Sequence, residues 1–245
     1  MKIKSEFTRN VVTLMFGSGL SQIIVIVISP LLTRLYSPED YGTASLFLSI
    51  ASVLMIITTL RYEMAIIQTK KNIDAISLGI ATLLISVSLL VVIEICLLIL
   101  SGTFLLDDLN VKLGGLLFYI PIYVFIAITV KVLINYMNRN KFYKTISLNQ
   151  VILSVFTSGS KLSFGAIKTP INGLVLGTIL GQLISSILLF YSFFNLKIKK
   201  VIYVVSFKRI KQNLTQYNNF PRYLLLSDGM NVIAIQLPYF FTSFL

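Results

Sequence analysis

The stretch Leu31–Gln68 reads LLTRLYSPEDYGTASLFLSIASVLMIITTLRYEMAIIQ, and its reading decides the fold. One apolar run ends in a short polar turn carrying Arg34, Ser37, Pro38, Glu39 and Asp40. A second starts at once at Tyr41–Gly42 and reaches the cluster Arg61-Tyr62-Glu63 near its far end. Lipid offers the backbone no hydrogen bonds, so runs of this length are read as helices that cross a membrane. The turn between them allows only an antiparallel hairpin. Arg61 lies inside the second run, about 10 Å before its end at 1.5 Å per residue. Charge at that depth is costly, which makes Arg61 the first functional candidate.

The rest of the chain has the same character. It is 56% hydrophobic and 12% charged, with a mean hydropathy of +0.87, whereas a soluble domain is about 25% charged. The apolar runs are continuous rather than alternating, which argues against a β-barrel and for an all-α polytopic membrane bundle. There is no histidine and no tryptophan, and Cys96 is the single cysteine. An intramolecular disulfide, a Cys–His metal site and histidine-based catalysis are therefore excluded. No cofactor or metal is expected. The net charge of +12 flanks the apolar runs, as the positive-inside rule requires, and is not a nucleic-acid signal.

Seven spans are expected: Val11–Thr33, Tyr41–Gln68, Ile76–Leu100, Leu113–Asn135, Ile146–Ile167, Ile171–Asn195 and Tyr223–Leu245. The first is too long for a signal-peptide core and has no convincing cleavage site. Loops 34–40, 101–112 and 168–170 hold only Arg34, Lys112 and Lys168 as cations. The other side holds Lys2, Lys4, Arg9, Lys70, Lys71, Arg139, Lys141, Lys144 and the basic residues of 196–222. That asymmetry makes the N-terminus cytoplasmic and turns Asp107 and Asp108 outward. Within 196–222, Phe207, Ile210, Leu214 and Tyr217 recur at helical spacing opposite Lys208, Arg209 and Lys211. They predict an amphipathic helix on the cytoplasmic surface, with Ser206 at its start. Pro221 suits the first turn of the next span.

Gly173, Gly177 and Gly181 repeat every four residues, a helix-packing seam continued by Ser185. Gly17-Ser18-Gly19 reads as a flexible or close-packed point, and Pro30 and Pro121 as bends. The charges expected inside spans are Arg61, Glu63, Glu94, Lys131, Lys161 and Asp228. Arg61 and Glu63 are two apart and should not face each other on a helix. Lys131 is expected to snorkel to the surface. Glu94 and Lys161 share a depth and could pair or line one cavity. No nucleophile with a base is visible.

Several motifs resemble those of Wzx-type O-antigen and polysaccharide flippases. They are Pro30-Leu31-Leu32-Thr33-Arg34-Leu35-Tyr36-Ser37-Pro38-Glu39-Asp40-Tyr41-Gly42, Leu60-Arg61-Tyr62-Glu63-Met64-Ala65-Ile66, Asn172-Gly173-Leu174-Val175-Leu176-Gly177 with Gly181-Gln182, and Phe220-Pro221-Arg222-Tyr223 with Gln236-Leu237-Pro238. The resemblance implies a member of the multidrug/oligosaccharidyl-lipid/polysaccharide exporter superfamily, with two helical lobes around a cavity. It implies an undecaprenyl-pyrophosphate-linked sugar unit as cargo, crossing the bacterial inner membrane. Other polysaccharide-assembly membrane proteins and membrane lipids are the implied partners. Arg61 and Lys161 are carried over as candidate substrate contacts. Glu63, Glu94 and Asp228 are candidates for ion coupling.

Against this pattern the chain offers a six-helix lobe over 1–195, a cytoplasmic linker over 196–222, and one helix of a second lobe over 223–245. It stops at Leu245 inside an apolar run, so a truncated form is expected rather than a pair of half-transporters. The competing classes are a membrane-embedded polysaccharide polymerase or ligase, a drug exporter and an inactive fragment. The enzyme would be expected to carry a large outer loop, and the longest here is a short connector.

Overall fold

The computed structural model describes residues 2–100, 104–169, 171–195 and 205–242. Their elements are helices, with no strand among the described residues. They run α1 (Lys2–Leu35), α2 (Pro38–Thr59), α3 (Tyr62–Gln68), α4 (Asn72–Leu100), α5 (Phe104–Lys112), α6 (Ile120–Arg139), α7 (Tyr143–Ile167), α8 (Gly173–Asn195), α9 (Phe207–Gln216) and α10 (Leu225–Thr242). Five helical stretches are long and apolar enough to cross a membrane: Thr8–Leu35, Pro38–Thr59, Asn72–Leu100, Leu117–Arg139 and Gly173–Asn195. The fifth and seventh expected spans, α7 and α10, are of comparable length but more polar.

The hairpin forms as its sequence dictates. The Ser37 hydroxyl accepts from the Asp40 amide at 3.2 Å, and the Asp40 carboxylate accepts from the Ser37 amide at 2.9 Å. This reciprocal capping box satisfies two amides that helix α2 would otherwise orphan, with Pro38 in the first turn.

Four expectations need correction. The second span is not continuous: it breaks after Thr59, and Leu60 and Arg61 both take left-handed backbone angles, φ 49° and 61°. The fourth does not begin at Leu113. Gly114 and Gly115, at φ 59° and 79°, end the preceding structure, and α6 starts at Ile120 with Pro121 in its first turn. Pro121 therefore opens a helix instead of bending one, since its missing N–H is unneeded there. Within the expected outer connector 101–112, residues Phe104–Lys112 form a helix with Asp107 exposed. Residues 196–204 of the expected linker lie outside the described residues, as do residues 243–245 and the side chains of Gln236-Leu237-Pro238.

Packing follows the small residues. Helix α7 is held between α1 and α8, and α6 touches α2, α3, α4 and α8. A Cβ added at Gly177 would lie 2.7 Å from the Lys161 backbone nitrogen, and one at Gly181 would lie 2.9 Å from the Thr157 Cα. At Gly17 it would lie 2.7 Å from the Ser147 Cβ. A backbone cannot give way as a flexible side chain can, so α7 and α8 approach too closely for a side chain at Gly177 or Gly181. Behind them Phe47–Tyr123 and Tyr136–Phe193 ring contacts, at 5.5 and 5.1 Å between centroids, fill the space around α6. Helix α9 lies on α4, where Arg209 pairs with Asp74 at 2.8 Å, and α10 packs on α2. Ser206 stands at the start of α9 but makes no side-chain cap.

Overpacking this seam should cost about 1–3 kcal/mol. Gly177→Ala is expected to lower the thermal unfolding midpoint in detergent. Gly19→Ala, which would meet nothing within 4 Å, should leave the midpoint unchanged. Equal midpoints would mean the seam does not hold α7 to α8.

Candidate functional site

Two polar regions are built into this apolar bundle. The first is a charge network at the break in the second span. Because Arg61 caps α3 in a left-handed conformation, its side chain and that of Glu63 converge, and Arg61 Nη1 lies 3.4 Å from Glu63 Oε1. The helical spacing that should have separated them does not apply across the break. Lys131 of α6 does not snorkel; its Nζ sits 3.1 Å from the same Glu63 oxygen. Arg61 Nε lies 3.1 Å from Asp228 Oδ2 of α10, near enough for an ion pair but without hydrogen-bond alignment. Asn135 donates its side-chain amide to the Glu63 carbonyl at 2.9 Å. Glu63 has no exposed surface, and its Oε2 has no hydrogen-bond partner. Two cations thus face two carboxylates, a formally neutral set.

The second region is a cavity of about 490 Å³ between α1, α2, α7 and α8. Its polar lining includes Ser29, Ser45, Ser154, Thr157, Ser158, Thr178 and Gln182, and Lys161 is its only charged residue. Among the described residues no carboxylate forms an ion pair with Lys161. The lysine's backbone carbonyl accepts from the Tyr36 hydroxyl at 2.6 Å, which ties the hairpin turn to α7. Burial, and then the Asp40 carboxylate, raises the Tyr36 hydroxyl above its ordinary pKa. That keeps it a donor.

The sequence candidates therefore separate. Arg61, Glu63 and Asp228 are brought together; Lys161 stands apart, in the cavity. Glu94 forms no ion pair with Lys161 and does not line the cavity. It is half-buried on α4, and its Oε2 has no partner. Gly177 and Gly181 are packing residues whose faces press on α7, and Gly173 presses on Phe164 and Tyr36. Reading by charge missed Asn135 and the hydroxyls of α7. The spacing 154, 157, 158, 161 places four polar side chains on one helical face and was the available signal.

An all-α, multi-pass membrane protein with a partly open, polar-studded cavity between helices is the class that fold and site define. The chain belongs to the polysaccharide biosynthesis protein family, whose model matches residues 7–245 and which includes the Wzx-type flippases and polysaccharide exporters. Comparison with curated proteins and with solved structures returned no match.

Glu63→Ala would leave Arg61 and Lys131 facing each other without their shared carboxylate. Loss of one partner from a buried ion pair costs about 3–5 kcal/mol, whereas Asp228, a third exposed at its side chain, is partly solvated. Glu63→Ala should destabilise the purified protein clearly more than Asp228→Ala in thermal unfolding. The reverse order would show that the network is not centred on Glu63.

Proposed function

We propose that the protein carries an undecaprenyl-pyrophosphate-linked oligosaccharide from the inner to the outer leaflet of the bacterial cytoplasmic membrane, with its N-terminus in the cytoplasm. In this reading residues 1–195 are one lobe, 196–222 a surface linker and 223–245 the first helix of a second lobe. Two lobes rocking about a midplane site would give alternating access.

The observation that supports the reading best is the cavity around Lys161. A pyrophosphate-linked sugar needs a cation and many hydrogen-bonding groups, while its polyprenyl tail can remain among lipid chains. The cavity, open on one side, offers one cation without an ion-pair partner among the described residues, amid hydroxyls and an amide. Movement of such a headgroup makes and breaks no covalent bond, so no nucleophile or general base is required.

Lys161 is the proposed first contact for the anionic headgroup. Arg61 is the second: its Asp228 partner is the more exposed of its two carboxylates, so a phosphate could replace that acid with little change in local charge. Glu63 and Glu94 each keep a buried oxygen without a hydrogen-bond partner. Together with Asp228 they are the proposed sites of ion coupling.

Expression from the complete reading frame in a flippase-null strain should restore surface polysaccharide. Lys161→Gln should cut that export by about tenfold or more, since a hydrogen bond to a charged group contributes roughly 1.5–3 kcal/mol. Membrane insertion should be unchanged. Full export by the variant would remove Lys161 from the path, and no restoration by the native chain would remove the flipping reading itself.

A further inference from the structure

The hydroxyls of this bundle mostly close on their own helices. Thr58, Thr82 and Thr129 donate to the carbonyls of Leu54, Leu78 and Phe125 at 2.7–2.9 Å, the usual way to satisfy a hydroxyl in an apolar setting. Thr178, at the cavity wall, does the same to Leu174. Ser154, Thr157 and Ser158 do not. All three line the cavity, make no hydrogen bond among the described residues, and are not among the buried oxygens sealed from contact. Their hydroxyls therefore keep hydrogen-bonding capacity at the cavity wall, although Thr157 also packs on Gly181 of α8 and Ser158 is largely buried.

With Lys161 they stand at i, i+3, i+4 and i+7 on one face of α7, a row about 10 Å long at 1.5 Å per residue. Glycines of α8 pack on the row itself: a Cβ at Gly177 would lie 2.6 Å from the Lys161 Cγ, and one at Gly181 would meet the Thr157 hydroxyl oxygen. The row is thus mounted on a rigid pair, with its charge at one end and no carboxylate in the cavity lining.

We infer that Ser154, Thr157, Ser158 and Lys161 form a carbohydrate subsite that takes a short sugar segment along the three hydroxyls and its anionic group at Lys161. This rests on the flipping reading and specifies how the cargo is held. Hydroxyls both donate and accept, which matches sugar hydroxyls, and the lone cation orients the segment. The anion can be a phosphate of the lipid linkage or a carboxylate on a sugar ring; both present an oxyanion beside ring hydroxyls.

The test is ligand-observed NMR on the full chain in nanodiscs, with glucose 1-phosphate, glucuronate, glucose and inorganic phosphate as probes. Glucose 1-phosphate or glucuronate should bind at least about tenfold tighter than glucose or phosphate. The better of the two charged sugars identifies the source of the anion. Lys161→Gln should reduce the charged sugars to the level of glucose. Thr157→Val, which keeps shape and removes the hydroxyl, should weaken the charged sugars about fivefold or more and leave phosphate unchanged. Thr157→Ser should recover the loss, and Ser158→Ala should repeat it should the valine variant not fold.

Charged-sugar affinity indifferent to both hydroxyl removals, or no probe binding at all, overturns the subsite. Export restored alongside that indifference would sink the subsite and spare the flipping reading. The expected binding pattern without export would do the opposite.

Discussion

A carboxylate with no exposed surface has to be neutralised from within, and much of this bundle is arranged around that demand. Glu63 is fully enclosed, and transfer of an isolated carboxylate out of water costs several kcal/mol even after relaxation. Three helices answer it. Helix α6 brings Lys131 and Asn135, the break before α3 turns Arg61 inward, and α10 adds Asp228 beyond Arg61. The left-handed angles at Leu60 and Arg61 are unfavourable for residues with a Cβ. They are tolerated where the ion pairs they permit outweigh that strain.

The two polar regions differ in the one respect that matters for an anionic cargo. The Glu63 network has as many carboxylates as cations, so its charges balance although Glu63 Oε2 and Arg61 Nε lack hydrogen-bond partners. The cavity has a cation without a carboxylate, and hydroxyls that have not spent their hydrogen bonds on the helix. A network of the first kind ties helices to one another; under the proposed reading, the second kind is what an anionic cargo would meet. Asp228 connects the first region to α10, so that helix is anchored to the break in the second span. Helix α9 is anchored nearby, through Arg209 to Asp74 and through the Tyr62 hydroxyl, which donates to the Leu214 carbonyl at 3.2 Å.

What periodicity could reach, it reached. The polar turn 34–40 marks the hairpin, although α2 takes Pro38, Glu39 and Asp40 into its first turn through a capping box at Ser37. The four-residue repeat Gly173, Gly177, Gly181 anticipated a close seam, and α7 fills it. The alternation of Phe207, Ile210 and Leu214 with cations anticipated α9. The misses have a common origin. Arg61 and Glu63 were placed on one unbroken helix because nothing in Thr-Leu-Arg-Tyr marks a left-handed break. Lys131 was sent to the surface because its partner comes from another helix. Glu94 and Lys161 were linked by depth alone, and depth says nothing about which way a helix is rotated.

The sequence by itself determined that this is an all-α membrane bundle opened by a tight hairpin, with a glycine seam in its sixth span. These are local properties, carried by run length, turn chemistry and residue spacing along one helix. Only the tertiary structure decided which charges meet, where the second span breaks, and that among the described residues Lys161 has no ion-pair partner while Arg61 does. Those outcomes depend on the rotation and approach of neighbouring helices, and they follow from electrostatic balance among residues far apart in the chain.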